Sequence, residues 1–441
     1  MAQPLETIVT DEKLPPRADV VVIGGGIVGV GAALTLARQG VSVLLCEKGR
    51  LAGEQSSRNW GWVRKTNRDL REVPLIIESL RLWNEMTREG IDTGYRECGI
   101  LYIDQNDADR ERHERWLALV EPFQIGSRII EGEALAEKLP GATRRFKSAI
   151  YTPTDGRAEP QKAVTAMAAA ARTAGAVIVQ NCAVRGLDLR AGRVAGVVTE
   201  HGRVACDSAI LAGGAWSRLF CGSLGLRLPQ LKVHATVLRT APIENGPETS
   251  AWLGDFSYRK RQDGGYTIAN GRGNVVPLVP DSFRFFREFL PAMRAERRGI
   301  RLRLTERFFK EAMTPRRWVL DRPSPFERDR VLDPDPVLGI NRAAVTAAAA
   351  TFPVFRDLKV VQEWGGLIDV TPDVVPVISE VETMPGLVIA TGFSGHGFGI
   401  GPAAGRLTAE IATGRPTVVD AKPFRFSRFT DGSPIVIEPG I

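Results

Sequence analysis

Three glycines near the start of the chain have a spacing that can bind phosphate. Gly24, Gly26 and Gly29 follow the apolar run 18–23 and lead into the helix-like run 30–39, in the pattern G-x-G-x-x-G. The first glycine permits a tight turn, the second lets the backbone approach a pyrophosphate, and the third lets the helix pack on the strand. The helix N-terminus then offers free N–H groups and a partial positive charge to an anion.

An acidic residue at the end of the next strand strengthens this interpretation. A second apolar run, 41–46, ends in Glu47, which follows Gly29 by 18 residues. An acid at that place can bind the hydroxyl groups of a ribose. The alternative is a structural strand–helix–strand unit with no nucleotide, and the three matching features together disfavour it.

The polar loop after Glu47 also carries groups that can contact a ligand. Ser56, Ser57 and Asn59 are short hydrogen-bonding residues, and Gly61 permits close approach to a flat ring. Loops that follow the strands of a rigid scaffold often carry function. An ordinary surface loop is the alternative, but it would leave Trp62 and a second tryptophan in water at a cost.

Two later glycine-rich turns have the same character. Gly213 ends the apolar run 208–212, and Gly395, His396 and Gly397 lie between an apolar strand and a helix predicted over 402–413. Each turn can bring backbone close to a ligand. For Gly213 a plain turn is the alternative, and for His396 the alternative is a backbone-positioning role without proton chemistry.

Composition excludes several classes of protein. The 441 residues are 44% hydrophobic and 25% charged, which is ordinary for a globular protein of two or three domains. No apolar run approaches the ~20 residues that cross a bilayer, and the first 18 residues lack the features of a signal peptide. Five scattered cysteines and four scattered histidines predict a reducing, cytoplasmic location and no metal site.

The net charge of +7 is concentrated in one segment. Residues 281–330 contain 14 Lys and Arg against 8 Asp and Glu, and several phenylalanines lie close together there. We predict a basic helical insertion over 281–310, packed by its aromatic side chains. The alternative is peripheral contact of this segment with the inner face of a membrane.

These motifs in this order resemble the flavoprotein family that includes D-amino-acid oxidase, glycine oxidase and sarcosine oxidase, over nearly the whole chain. The resemblance implies an α/β fold with a Rossmann-like FAD-binding domain and a second, mainly antiparallel α+β substrate domain. We expect an N-terminal extension over 1–17. The other domain bounds that we expect are 18–94, 155–230 and 352–425 for FAD binding, and 95–154 and 231–351 for substrate, with the basic insertion at 281–330.

The resemblance also implies FAD as cofactor and assigns residues to it. The pyrophosphate, ribose, flavin and adenine contacts are expected from Gly24, Gly26, Ile27, Val28, Gly29, Glu47, Lys48, Ser56, Ser57, Asn59, Gly61, Val184, Gly213, Gly395, His396 and Gly397. Some members of the family attach flavin covalently through a His or Cys. None lies in the segment 56–62, so we expect non-covalent FAD.

One departure from the family pattern concerns substrate binding. Members that oxidise simple amino acids often carry Gly-Leu-Arg-Pro, and here Ile368 and Asp369 replace the arginine and the proline. Isoleucine cannot form the bidentate pair with a carboxylate. We expect Asp369 to attract a cationic substrate instead, unless it pairs with an arginine or caps the following turn. His396, Asp369 and Trp62 are the expected catalytic residues.

The predicted function is oxidation of a C–N bond of a small-molecule amine or amino acid by hydride transfer to FAD, giving an imine that water hydrolyses. Oxygen or a quinone would accept the electrons. One alternative is a membrane-associated D-amino-acid dehydrogenase that feeds a quinone. The other is an RNA-modifying flavoprotein, which the lack of an RNA-binding module disfavours.

Overall fold

The computed structural model of the protein describes residues 5–271, 274–295 and 300–437. Within those residues it has 22 strands, β1 to β22 in chain order: Val20–Ile23, Val43–Cys46, Trp62–Val63, Arg96–Glu97, Ile100–Ile103, Arg128–Glu131, Ser148–Thr152, Gly156–Arg157, Val177–Val179, Val184–Arg190, Arg193–Thr199, Gly202–Ala205, Ser208–Leu211, Leu231–Thr240, Ser250–Trp252, Ser257–Lys260, Tyr266–Ala269, Asn274–Leu278, Ile300–Leu304, Val360–Val370, Val377–Glu380 and Leu387–Thr391.

The same described residues contain 13 α-helices, α1 to α13: Ile27–Arg38, Gln55–Arg58, Val73–Arg88, Asp107–Val120, Gly132–Lys138, Pro160–Thr173, Ser217–Ser223, Pro280–Arg284, Phe286–Ala295, Glu306–Met313, Pro325–Arg328, Leu338–Thr351 and Gly397–Ala412. None of them combines the length and the apolar composition that a membrane-spanning helix needs.

A six-stranded sheet forms the centre of the fold, in the order β21-β22-β13-β1-β2-β9. Its pairings are parallel except for β21 with β22. Alternate residues of β1 belong to different cores, because Val20 and Val22 pack with α1, α3, α6 and α13, whereas Val21 and Ile23 face the small sheet β10-β11-β12. A strand buried on both faces is continuously apolar, and this explains the run of β-branched residues.

A second, ten-stranded sheet is mainly antiparallel, with parallel pairs only between β15 and β5 and between β18 and β19 among the described residues. A hairpin with the turn residues Asp263, Gly264 and Gly265 joins β16 to β17. The predicted α/β fold class, with a parallel sheet and a mainly antiparallel partner, is therefore confirmed.

The long strand β20 links the two sheets. It pairs with β14 from Leu231↔Val370 to Thr240↔Val360, and β21 and β22 follow it in the central sheet. The chain thus passes from the second sheet into the first within the segment 352–425, which sequence analysis assigned to FAD binding alone. The domain bounds stay a prediction.

The basic segment differs from its prediction. Residues 281–310 are not wholly helical, because Ile300–Leu304 is a strand that pairs in parallel with β18. The sequence Ile-Arg-Leu-Arg-Leu alternates with period two, which favours a strand over a helix. Residues 296–299 of this segment lie outside the described part of the chain.

The N-terminal extension packs on the central sheet from residue 5 onward. Leu5 and Ile8 contact the main core, and the carboxylate of Asp11 pairs with Arg172 at 2.8 Å and accepts the N–H of Ile178 at 2.9 Å. The hydrogen bond from Arg172 holds the pKa of Asp11 below its usual value. These contacts hold the described part of the N-terminal extension against the core.

Candidate active site

The glycine turn between β1 and α1 has the geometry that its spacing predicted. Gly24 has φ +115°, and a Cβ there would lie 2.5 Å from the carbonyl oxygen of Ala212. A Cβ on Gly29 would lie 2.1 Å from the carbonyl oxygen of Gly24. These two glycines are therefore required by the fold itself. Gly26 differs, because a Cβ there would meet only the hydroxyl of Ser56, at 3.2 Å, and this residue lines the cavity at the start of α1.

Glu47 ties this turn to the next loop. Its Oε2 accepts the N–H of Gly25 and its Oε1 accepts the N–H of Gly49, both at 2.7 Å. Burial raises the pKa of Glu47, and the two backbone donors oppose that effect. A carboxylate has lone pairs for further donors, so Glu47 can hold the turn and still accept from a ligand.

Lys48 connects the site to a distant segment. Its ammonium group donates to the carbonyl oxygens of Asp329 and Arg330, each at 2.7 Å, and lies 4.2 Å from the centre of the Trp216 ring. Arg330 in turn forms a bidentate pair with Glu200, at 2.8 and 2.6 Å. Sequence analysis missed Arg330, because 282 residues separate it from Lys48.

The loop that contains α2 supplies both ligand-facing and structural groups. The hydroxyl of Ser56 accepts the N–H of Ile27 at 2.9 Å, whereas the hydroxyl of Ser57 donates to the carbonyl oxygen of Glu54. Asn59 accepts the N–H of Gly61 at 2.8 Å, which fixes the turn before β3. Gly61 has φ +78°, and a Cβ there would lie 2.5 Å from the oxygen of Ala158.

His396, at the N-terminus of α13, lies next to the buried ion pair of Arg68 and Glu72. Its Nδ1 is 3.5 Å from Oε2 of Glu72, which is paired with Arg68 at 3.1 Å. Arg68 also donates to the carbonyl oxygen of His396 at 3.2 Å. Burial lowers the pKa of His396, against the opposing effect of Glu72, and burial lowers the pKa of Arg68 to about 10. His396 is therefore neutral at pH 7, while Arg68 stays charged.

Asp369 is 1% exposed, and its carboxylate is held by the protein's own donors. Its Oδ2 accepts from Gln230 at 2.9 Å, from Thr391 at 3.1 Å and from the N–H of Gly392 at 2.8 Å. Burial raises its pKa, although these hydrogen bonds oppose the shift. Neither alternative weighed from sequence, an arginine partner or a cap on the turn at Thr371, describes this arrangement. Attraction of a substrate cation to Asp369 stays a prediction.

Aromatic side chains from the ten-stranded sheet, from β3 and from the loop before β3 form one wall of the site. The ring centres of Trp60 and Trp62 are 5.2 Å apart, those of Trp62 and Tyr102 are 5.8 Å apart, and those of Tyr102 and Trp252 are 5.8 Å apart. The guanidinium carbon of Arg64 lies 5.3 Å from the centre of the Tyr102 ring. We call these four rings the aromatic wall. Tyr102, Trp252 and Arg64 were missed from sequence, since no local motif marks them.

A single cavity of about 500 Å³ joins the glycine turn to the aromatic wall. Most of the predicted site residues line it: Gly24, Gly26, Ile27, Val28, Glu47, Lys48, Ser56, Asn59, Trp62, Val184, Gly213, Asp369, Gly395, His396 and Gly397. Three of them, Gly29, Ser57 and Gly61, are outside the lining that the described residues form, and their contacts are structural.

A family model and several known proteins match most of the chain. The family model described as FAD dependent oxidoreductase matches residues 19–411, and the chain belongs to that family. Glycine oxidase of Geobacillus kaustophilus is 26% identical over 428 residues, which cover 93% of this chain and 97% of that protein. Human mitochondrial sarcosine dehydrogenase is 28% identical over 240 residues, 52% of this chain but only 26% of that longer protein.

Among solved structures, the L-amino acid deaminase of Proteus myxofaciens in complex with anthranilate has a TM-score of 0.94 and 33% identity. The superposition covers 98% of this chain and 97% of that one. Both large sheets of the fold are therefore shared with that enzyme.

Members of the family bind FAD, and the site here fits that cofactor. The N-terminus of α1 faces a cavity, and at Gly26 only a serine hydroxyl approaches the place of a side chain. The N-terminus of α13 lines the same cavity through Gly395 and Gly397. Two helix N-termini along one cavity can bind an anionic cofactor. FAD is the cofactor of the chain.

Proposed function

We propose that the chain oxidises the C–N bond of an amine or amino acid, giving an imine that water hydrolyses. The observation that carries this proposal is the single cavity, which leads from a phosphate-binding turn to a wall of aromatic side chains. Bound FAD would accept the hydride, which carries both electrons of the oxidation. The protein binds and orients the substrate, and the apolar wall keeps water from the reacting bond.

For the cofactor we propose the contacts expected from the resemblance. Gly26 and the first turn of α1 would bind the pyrophosphate, and Glu47 would accept from the ribose. The loop Gly395–Gly397 would lie at the pyrimidine edge of the flavin, where the N-terminus of α13 favours negative charge. Val184 and Gly213 line the cavity and would contact the adenosine. Attachment would be non-covalent.

For His396 we propose a positioning role. Its pKa is lowered, so the ring carries no charge at pH 7, and its backbone begins α13. Glu72 and Arg68 hold this residue in place from two sides. An amine that binds in its neutral form needs no strong base, so neither His396 nor Asp369 has to move a proton in this proposal.

For the electron acceptor we propose a quinone reached at an anionic membrane surface. Apolar side chains of the basic segment are exposed: Phe283 at 66%, Phe309 at 59% and Met313 at 77%. Phe283 and Phe308 are in ring contact, so the apolar residues of α8 and α10 form one surface. Exposed apolar groups on a segment with 14 Lys and Arg against 8 Asp and Glu suit the headgroup region of an anionic membrane. Oxygen remains the alternative acceptor.

The RNA-modifying alternative gains no specific support from the structure. Several arginines in or near the basic segment already form ion pairs. Arg218 and Arg284 pair with Asp281, and Arg307 pairs with Glu311. A gel shift with tRNA that weakens as the salt concentration rises would support that alternative, because binding to phosphates is strongly salt-dependent.

A substrate screen tests the proposed function. Purified protein would be mixed without oxygen with amines and amino acids, and the loss of flavin absorbance recorded. Reduction by one class of amine, with formation of the matching carbonyl product, supports the proposal. Acid precipitation of the same protein should release all flavin into the supernatant, and a fluorescent pellet would contradict non-covalent attachment.

A further inference from the structure

One arginine at the aromatic end of the cavity has no carboxylate partner among the described residues. Of the cationic side chains that line the cavity, four pair with an acid: Lys48, Arg58, Arg68 and Arg330. Arg50 is exposed near the glycine turn. Arg64 makes no ion pair with any residue that the structure describes.

The donors of Arg64 are only partly used. Its Nη1 donates to the carbonyl oxygens of Thr66 and Asn67, and Nε and Nη2 donate to no described residue. Arg68, which is close enough for the charge of Arg64 to lower its pKa, is already paired with Glu72. The aromatic end of the cavity therefore has one positive charge in excess, and such a charge favours an anionic ligand.

The backbone after Arg64 is fixed in place. The buried carboxylate of Asp155 accepts the N–H of Lys65 at 2.7 Å and both the N–H and the hydroxyl of Thr66, at 3.2 and 2.6 Å. Asn67, in the left-handed region at φ 54°, is held through His113, whose Nε2 is 3.1 Å from its amide nitrogen. Because the backbone is already held in place, a guanidinium on this turn loses little conformational entropy when it binds a ligand.

The carboxylates of the same cavity do not compete for this charge. The lining acids are Glu47, Glu54 and Asp369. Glu47 and Asp369 accept from backbone and amide donors, as described above, and Glu54 accepts from the indole of Trp216 at 2.9 Å and from the N–H of Leu332 at 3.0 Å. An incoming carboxylate is therefore the natural partner of Arg64.

We propose that Arg64 binds the substrate carboxylate in place of the arginine lost at Ile368, an assignment that rests on the proposed function. The aromatic wall would then receive a large apolar side chain of the substrate. The substrate class is then an amino or N-alkylamino acid with an aromatic or bulky aliphatic group. Arg64 lies 5.3 Å from the Tyr102 ring, so the anion and the side chain would bind next to each other.

Ligand binding to the oxidised holoenzyme tests this without turnover. Benzoate and benzamide have nearly the same shape, but only benzoate is charged, and each is titrated while the flavin absorbance is followed. Arg64→Gln should weaken benzoate binding ten-fold or more, which corresponds to about 1.4 kcal/mol, and leave benzamide unchanged. Arg190→Gln, at an exposed arginine of β10, should change neither.

Equal benzoate affinity in Arg64→Gln and the parent would overturn the assignment, and so would an equal loss for benzoate and benzamide. If Arg64→Gln does not retain FAD, Arg64→Lys takes its place, because lysine keeps the charge without the bidentate fork. Arg64→Lys should then bind benzoate less tightly than the parent, and unchanged affinity would count against the proposal.

Turnover separates this proposal from the proposed function. Phenylalanine should reduce the flavin of the parent enzyme with a higher kcat/KM than phenethylamine, which lacks the carboxylate, and Arg64→Gln should abolish that difference. If no amine or amino acid reduces the flavin, the proposed function fails, while the benzoate titration still reports on Arg64. If the flavin is reduced equally well in Arg64→Gln, only the Arg64 assignment fails.

Discussion

Nδ1 of His396, at the N-terminus of α13, lies 3.5 Å from Oε2 of Glu72, whose side chain is fully buried, while that of His396 is 12% exposed. Since burial lowers the pKa of His396 below 6.5, the folded chain binds that proton less tightly than the unfolded chain does. The unfolded state then holds more protons below about pH 6.5, so stability must fall as the pH drops through that range until the folded-state pKa is reached.

The variant His396→Gln should lack this pH dependence. Between about pH 7.5 and about pH 5.5 its Tm should fall less than that of the parent, by on the order of 1–2 °C. Thermal unfolding of the holoenzyme followed by circular dichroism measures this. His201→Gln, at an exposed histidine, is the matched control and should follow the parent. Identical slopes for the parent and His396→Gln would show that His396 does not titrate as described.

Two glycines of the nucleotide turn should respond differently to the same substitution. Gly29→Ala places a Cβ 2.1 Å from the carbonyl oxygen of Gly24, so it should prevent folding. Gly26→Val adds a side chain where only the hydroxyl of Ser56 is near. That variant should fold, with a native circular dichroism spectrum, but bind no FAD. Yellow Gly26→Val protein would contradict the assignment of this turn to the pyrophosphate.

Asp369→Asn distinguishes the two roles considered for this acid. Gln230, Thr391 and Gly392 all donate to Oδ2 of Asp369. An asparagine NH₂ group in that place would face these donors with further donors, so we expect the turn after β22 to be disturbed. The loss of kcat/KM should then be equal for cationic and neutral substrates, about ten-fold or more. A selective loss for cationic substrates would instead support the attraction that the sequence suggested.

The exposed apolar surface of α8 and α10 should bind anionic lipid. Co-sedimentation with vesicles that contain an anionic phospholipid should exceed that with neutral vesicles, and should weaken in high salt. The triple variant Phe283→Ser, Phe309→Ser and Met313→Ser should remain in the supernatant. The control is Leu119→Ser with Val361→Ser, at exposed apolar residues elsewhere. Equal vesicle binding by both variants would contradict a role of the α8 and α10 surface in membrane contact.

The part of the site that sequence could predict is the part encoded locally. Gly29 and Glu47 act mainly through contacts inside one strand–turn–helix–strand unit, and Gly24 supplies the φ of +115° that its turn needs, so their spacing carries the information. The sequence of β19 also favours a strand, because apolar and charged residues alternate in it, although the many charges of the segment led to the prediction of a helix. The sequence also predicts that the loop with Ser57 and Gly61 belongs to the site. Which of its residues face the ligand and which have structural contacts depends on side-chain rotamers, and residue spacing does not encode those.

The rest depends on contacts between distant segments. The role proposed for Arg64 depends on its contact with Tyr102 and on the lack of an ion pair with any described acid, and neither follows from the sequence around it. Arg330 reaches the site only because Glu200 and Lys48 meet it in space. The partners of Asp369 come from β22 and from Gln230, and a single sequence gives no way to choose them over an arginine.

Oxidation of a C–N bond is tested most directly by anaerobic stopped-flow mixing of the purified protein with phenylalanine, as each enantiomer, and with its N-methyl derivatives. We expect flavin absorbance to be lost in a single substrate-dependent phase, and phenylpyruvate to form in a one-to-one ratio with the reduced flavin. Flavin that stays oxidised with every amino acid and amine, in protein that releases FAD on denaturation, would contradict the proposed oxidation of a C–N bond.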